Sequence, residues 1–532
     1  MATIYEFGPF RLETDADTLF RGAEPVALGG RAVALLRLFL EKAGKPVAKD
    51  ALMEAAWPGL AIEESNLTVQ IAALRRTFAA VEGGSTWIET LPRRGYRYVG
   101  PPAATLPDDS RQTWLPSASS DKPSIAVLPF ANLSGDSAQD YFSDGITEDV
   151  IAELSRFRSL FVVARHSSFA YRASSSDIRE VGRQLGVRYV VEGSARRIGK
   201  RVRVTVKLLD AASGFTLWTE RYDREIEDIF AIQDEIVGKI VAALPGRLED
   251  AGREIARGKP TPNITAYDLV LLGNEKWRQL TVRSMDEAEG YFRKAAGLDP
   301  AYARARANIA WTIVCAAFLE SPAAPPLEDG RREIEIALDL DENDAWSHGV
   351  FAQLLFLQNR DHEAETHFKR ALALNPNDAD VAAAFANILV YWGRWQDALA
   401  WIKSAKRLNP FPPNIYHWYH ALALYSAREY EQAIQVLREA RSSDRWSHAL
   451  LAACYAQTDR LTEANFEARA FIRERCLELS ENGGAPPRNT LDLARTRANR
   501  YRDPVDRDHF LDGLRKAGLE DNSPTPPSPR PA

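Results

Sequence analysis

From about residue 334 the chain repeats itself every 34 residues. Leu340-Asp341-Glu342, Leu374-Asn375-Pro376 and Leu408-Asn409-Pro410 keep that spacing, as do Ile334/Phe368/Ile402 and Ala337/Ala371/Ala405. Leu437 and Ala440 follow at an interval of 35. An earlier copy, Ala288-x3-Phe292-x2-Ala295 with Leu298-Asp299-Pro300, precedes an insert near 321–328. A unit of this length holds two helices, its alanines let them approach closely, and its Asx-Pro joint ends one pair and starts the next. One pair cannot bury its apolar side alone, so the pairs must stack into a solenoid with a concave groove suited to an extended peptide or a helix. Five to six repeats are expected over 265–475. A capping helix near 505–518 and a Pro- and Ser-rich tail from Asn522 should fill 476–532.

The other informative stretch is 63–98. Leu67, Ile71, Leu74 and Phe78 recur at helical steps, and Ser65 or Asn66 is placed to cap the helix. The opposite side of the wheel carries Ser65, Asn66, Val69, Ala72, Ala73 and Arg76, small enough to approach another surface and suited to thymine methyls in a major groove. Residues 87–98 then alternate as a hairpin, with Pro92 and Gly95 bounding a turn that projects Arg93 and Arg94. Upstream, 32–41 and 49–57 read as helices and 4–10 and 19–28 as short strands. A short helix, a loop and a longer helix with a polar outer side form a helix-turn-helix arrangement.

The words Gly8-Pro9-Phe10-Arg11-Leu12, Lys49-Asp50-Ala51-Leu52-Met53-Glu54-Ala55-Ala56-Trp57-Pro58, Val69-Gln70-Ile71-x-x-Leu74-Arg75-Arg76 and Arg94-Gly95-Tyr96-Arg97-Tyr98 resemble the winged helix-turn-helix domain of OmpR/PhoB-type regulators, specifically the CadC-like ones. The resemblance implies that Asn66, Thr68, Gln70 and Arg75 or Arg76 face DNA, while Arg93, Arg94 and Arg97 hold the minor groove or phosphates. Many relatives carry arginine or serine where this chain has Ala72-Ala73. That departure favours methyl contacts at Val69, Ala72 and Ala73.

Residues 101–122 are rich in proline, serine and charge and read as a flexible linker. Over 123–250 the expected order is β-α-β-α-β-β-β-α, an α/β sandwich. Its strands fall at 124–130, 160–164, 189–198, 201–209 and 215–222; its helices start at Ser143 or Asp144, Asp177 and Asp228. Arg196-Arg197 and Lys200-Arg201-Val202-Arg203 make a basic hairpin, either a solvated sheet face or an anion-binding surface. His166-Ser167-Ser168 reads as a turn. Ile125-Ala126-Val127-Leu128-Pro129-Phe130, Tyr141-Phe142-Ser143-Asp144-Gly145-Ile146-Thr147-Glu148-Asp149, Leu185-Gly186-Val187-Arg188-Tyr189-Val190-Val191-Glu192-Gly193-Ser194 and Trp218-x-Glu220-Arg221-Tyr222-Asp223 resemble the TolB amino-terminal-like domain, which implies sensing or assembly. The 34-residue period is identified as tetratricopeptide. The whole is a multidomain chain: an α+β winged helix over 1–100, an α/β sandwich, and an all-α tetratricopeptide solenoid.

Composition bounds the function. Residues 1–100 hold 12 Lys+Arg against 12 Asp+Glu, so phosphate contacts are few and a lone domain binds weakly. Dimerisation, tandem sites or a partner would compensate. Cys315, Cys454 and Cys476 lie far apart and have no metal spacing. No signal peptide or span-length apolar stretch is evident, so a cytoplasmic protein with no membrane contact is expected. No phosphate-binding loop, carboxylate pair or nucleophile-base motif appears, and the cyclase domain carried by some relatives is missing. Catalytic residues, metal and cofactor are therefore expected to be none, and the chain is not read as an enzyme. His417/His420 and the aromatic cluster Trp392, Trp395, Trp401, Tyr416, Trp418 and Tyr419 fit helix packing best. The expected function is a transcriptional regulator that binds double-stranded DNA and takes a protein or peptide partner in the repeat groove, a homodimer being one way to strengthen its DNA contact. The alternative is a scaffold that does not bind DNA.

Overall fold

A computed structural model describes residues 3–14, 17–21, 24–26, 28–58, 63–81, 83–92, 94–107, 122–157, 159–172, 177–244, 261–279, 281–320, 325–440, 444–481 and 489–520. The chain divides into two compact units: 1–114, 120–163 and 175–377 form one, and 115–119, 164–174 and 378–532 the other.

The first unit opens with β1 (Thr3–Phe7), β2 (Phe10–Glu13), β3 (Thr18–Arg21), β4 (Glu24–Pro25), α1 (Gly30–Glu41), β5 (Pro46–Val47), α2 (Lys49–Ala56), α3 (Glu64–Phe78), β6 (Ile88–Leu91), β7 (Gly95–Tyr98) and β8 (Ala104–Pro107). The sheets run β4-β3-β2-β1-β8 and β5-β7-β6. Three expectations are corrected. The strand expected over 4–10 is broken at Gly8, whose positive φ of 55° turns the chain so that Phe7 pairs with Phe10. The strand expected over 19–28 is likewise two short pieces, β3 and β4. The linker expected from 101 starts later, because 104–107 pairs antiparallel with β1; Pro-rich composition says nothing about an available sheet edge. The remainder of that linker from 108 to 121 lies outside the described residues, as does the tail from Asn522.

The middle segment contributes β9 (Ser124–Val127), β10 (Ala131–Asn132), α4 (Asp140–Ser155), β11 (Phe161–Val162), α5 (Arg165–Phe169), α6 (Ile178–Leu185), β12 (Tyr189–Ile198), β13 (Arg201–Asp210), β14 (Thr216–Glu225) and α7 (Ile229–Ala243). Its sheet runs β11-β9-β12-β13-β14, with β10 beside β12. β9 pairs parallel to β11 and β12, and the long hairpin β12-β13-β14 is antiparallel. α4 starts at Asp140 rather than at Ser143 or Asp144, and Ser143 is buried inside it. His166-Ser167-Ser168 sits in α5 rather than in a turn.

Helix pairs follow over 264–298, 303–340 and 345–374, and in the second unit over 379–408, 414–438 and 445–481. The last helix runs to Glu481, past the boundary expected at 475. Beyond it a helix at Asp492–Ala498 precedes the expected capping helix, here Pro504–Lys516. The repeat alanines lie in the cores: Ala295, Ala337, Ala371 and Ala405 are at most 1% exposed. No described helix is long and apolar enough to cross a membrane.

The repeat joints hold the middle segment. In the first unit the Asn377 amide donates to the carbonyls of Ser155 (2.9 Å) and Phe157 (3.3 Å). In the second, Asn409 accepts from the Ser167 backbone (3.1 Å) and hydroxyl (2.6 Å). The winged domain is held within the first unit by Arg370, 4% exposed. Its guanidinium donates to the Leu28 carbonyl (2.8 Å), Asn343 Oδ1 (2.7 Å), Thr18 Oγ1 (3.1 Å) and the Asp17 carbonyl (3.1 Å).

Candidate nucleic-acid interface

α3 is positioned by its inner face. Leu67, Ile71, Leu74 and Phe78 are at most 1% exposed and join one core with α1, α2 and both sheets. Phe78 anchors the far end, its ring 5.5 Å from Phe10 and 5.2 Å from Trp87. The near end is tied to α2 by Lys49 Nζ and Glu64 Oε2 at 2.5 Å, and this pairing holds the Lys49 ammonium above its ordinary range. Neither Ser65 nor Asn66 caps the helix. It starts two or three residues earlier than their capping requires, with Glu63 at the N-cap and Asn66 N donating to the Glu63 carbonyl at 3.1 Å.

The outer face is open. Asn66, Thr68, Val69, Ala72 and Arg76 are exposed, Val69 to 58%, and Gln70, Ala73 and Arg75 are partly buried. An exposed valine amid small and polar residues on the rim of a well-packed domain is the kind of surface a groove would cover.

The hairpin is β6 and β7, registered Glu89↔Arg97 and Leu91↔Gly95. Arg94 N donates to the Leu91 carbonyl (2.9 Å), closing the turn, and its side chain is exposed. Gly95 has φ of 100°, and a Cβ there would lie 2.0 Å from the Val47 carbonyl, so a side chain cannot occupy the position. Among the described residues, the Arg76 and Arg94 side chains have no hydrogen bond or ion pair. Arg93 lies outside the described residues.

Two of the expected DNA-facing arginines are already engaged. Arg75 donates from Nε (3.1 Å) and Nη2 (2.8 Å) to the Ile88 carbonyl and from Nη2 to Thr90 Oγ1 (2.8 Å), which pins the hairpin to α3. Arg97 donates twice to Glu89 Oε2, at 3.1 and 2.7 Å. That bridge is partly exposed, 37% and 43% for the two side chains, so it is weak and open to competition by phosphate. Sequence reasoning missed Thr90 and Glu89 because an i, i+15 or cross-strand partner leaves no periodic signal.

Residues 23–98 match the family described as Transcriptional regulatory protein, C terminal, and 120–239 match that described as HilA/YgeH-like transcriptional regulator, second domain. A Rhizobium meliloti protein named Putative adenylate cyclase 3 is 43% identical over 249 residues, covering 46% of this chain and 42% of that protein. The Transcriptional regulator HilA of Salmonella typhi is 25% identical over 299 residues, covering 56% of this chain and 50% of that protein. The chain thus spans about half the length of the curated relatives it matches. Among solved structures, the DNA-binding domain of E. coli CadC is 22% identical and covers 19% of this chain and 96% of that one, with a TM-score of 0.18. Residues 23–98 therefore match the winged-helix domain of transcriptional regulators, and the segment after it matches a second domain found in HilA-like ones.

Proposed function

We propose that this chain is a cytoplasmic DNA-binding transcriptional regulator. α3 enters the major groove with Asn66, Thr68, Val69, Gln70, Ala72, Ala73 and Arg76 towards the bases and flanking phosphates. Arg94, Arg93 and Arg97 hold the backbone or minor groove beside it. Arg75 acts one step back, fixing the angle between helix and hairpin. The observation that carries this reading is the division of α3 into an inner row at most 1% exposed and an outer face with Val69 at 58%.

The TolB amino-terminal-like segment and the tetratricopeptide repeats receive the signal or partner in this reading, and two copies joined together would add two weak half-site contacts. The relative named as a putative adenylate cyclase shares 42% of its own length with this chain, and the reading keeps catalysis out of the shared part. Gel retardation of a promoter fragment across a salt series tests the proposal. Retention that is sequence-specific and weakens steeply with salt is expected; no retention at low salt would instead favour the scaffold reading, for which the neutral charge of residues 1–100 speaks.

A further inference from the structure

The middle sheet ends at β14, and among the described residues β14 pairs on one side only, with β13. Ten residues long and free of glycine and proline, it leaves an unpaired row of backbone donors and acceptors, which natural sheets usually cover or blunt.

The sequence of that edge is charge-complementary to itself. Reading outward from Tyr222, Arg221 is mirrored by Asp223 and Glu220 by Arg224. In an antiparallel pair, residues directly opposite share a face, so an axis must pass through a residue if both copies keep their helix-covered faces on the same side. An axis through Glu220, Arg221, Asp223 or Arg224 sets identical charges against each other, which destabilises a strand pair. An axis through Tyr222 sets Arg221 against the second copy's Asp223 and Glu220 against its Arg224, each twice by symmetry.

We propose that β14 is a homodimer interface, pairing antiparallel with β14 of a second copy about Tyr222 and extending the sheet across both chains. Arg221 is exposed and has no ion pair among the described residues, whereas Asp223 already accepts from Arg201 (3.0 Å) and Arg203 (2.5 Å) on the adjacent strand. A carboxylate has acceptor sites left for a third donor. Pairing therefore gives Arg221 a partner and uses the edge hydrogen bonds at once. The interface lies on the middle segment and does not rest on the DNA-binding reading.

Sedimentation of the full chain without DNA tests it. The expected mass is twice the 59.3 kDa of one chain at micromolar concentration. Arg221→Glu, on an exposed side chain, should weaken self-association by about tenfold or more, because it puts like charges opposite each other at two places. The Tyr222 register also sets Thr219 opposite Glu225. A Thr219→Cys/Glu225→Cys double variant should then form a disulfide dimer on oxidation while either single variant does not. A monomer throughout, a dimer indifferent to Arg221→Glu, or cross-linking by a single cysteine would each overturn the proposal, with circular dichroism confirming that every variant is folded.

Discussion

Two arginine-bearing hairpins look alike in the sequence and differ in what their charges can do. The β12-β13 hairpin carries Arg196, Arg197, Arg201 and Arg203, more cations than the β6-β7 hairpin near residue 94. Yet Arg197 is held by Asp268 at 2.9 and 2.8 Å, and Arg201 and Arg203 both converge on Asp223. On β6-β7, Arg94 points outward, and the Arg97–Glu89 bridge is solvent-exposed. Formal charge is thus a poor guide to a binding surface. Whether a carboxylate from elsewhere in the fold already occupies the guanidinium matters more.

The largest expected effect concerns the most deeply committed arginine, Arg370. Beside it, buried His348 and half-buried His367 have their Nδ1 atoms 2.8 Å apart, and His348 Nε2 lies 3.1 Å from the Glu342 carbonyl. This geometry excludes protonation of both rings together; with both neutral, His348 donates from Nε2 to the carbonyl and accepts at Nδ1 from His367. Burial first, then Arg370, pushes His348 down to about 4, and burial with His348 and Arg370 holds His367 below its ordinary range. Each folded value lies under the unfolded one, so the unfolded chain takes up protons first. Stability is full above about pH 6.5 and is lost as pH falls towards 4, by about 3 kcal/mol for His348. Urea titrations over that range should show the loss, and His348→Phe should flatten it; an unchanged slope in the variant would count against the assigned neutral pair.

Next in size, Asp268→Ala leaves Arg197 partly buried without its carboxylate and should cost about 2 kcal/mol in chemical denaturation. Arg94→Ala should stay within about 0.5 kcal/mol of wild type. The order reverses for DNA. Arg94→Ala and Arg76→Ala should each weaken promoter binding by about tenfold and lower the salt slope by about 1, while Arg203→Ala leaves affinity unchanged. Equal losses at Arg94 and Arg203 would erase the distinction between the hairpins. The smallest effect is a gain: Glu89→Gln releases Arg97 and should tighten DNA binding by roughly twofold, since an exposed bridge is worth about 1 kcal/mol or less.

Much of this was legible beforehand. The inner row of α3, the joints of the repeats and the order of the middle segment, apart from β10 and α5, follow from the period of apolar and small residues. The start of α3 was misplaced because Ser65 and Asn66 are good capping residues whose competitor, Glu63, holds the N-cap by backbone geometry alone. The strand at 104–107 was missed because its partner, β1, lies a hundred residues earlier. The positioning role of Arg75 was missed because Ile88 and Thr90 carry no mark of accepting from it.

The sequence by itself determined the kinds of element, their order and the faces they bury, because periodicity is a local property read within a few turns or strands. Only the tertiary structure decided which arginines remain available to a ligand. The groups that engage them stand 71 residues away for Arg197, a carboxylate, and 352 for Arg370, a hydroxyl, and a short-range electrostatic contact has no counterpart in a one-dimensional pattern.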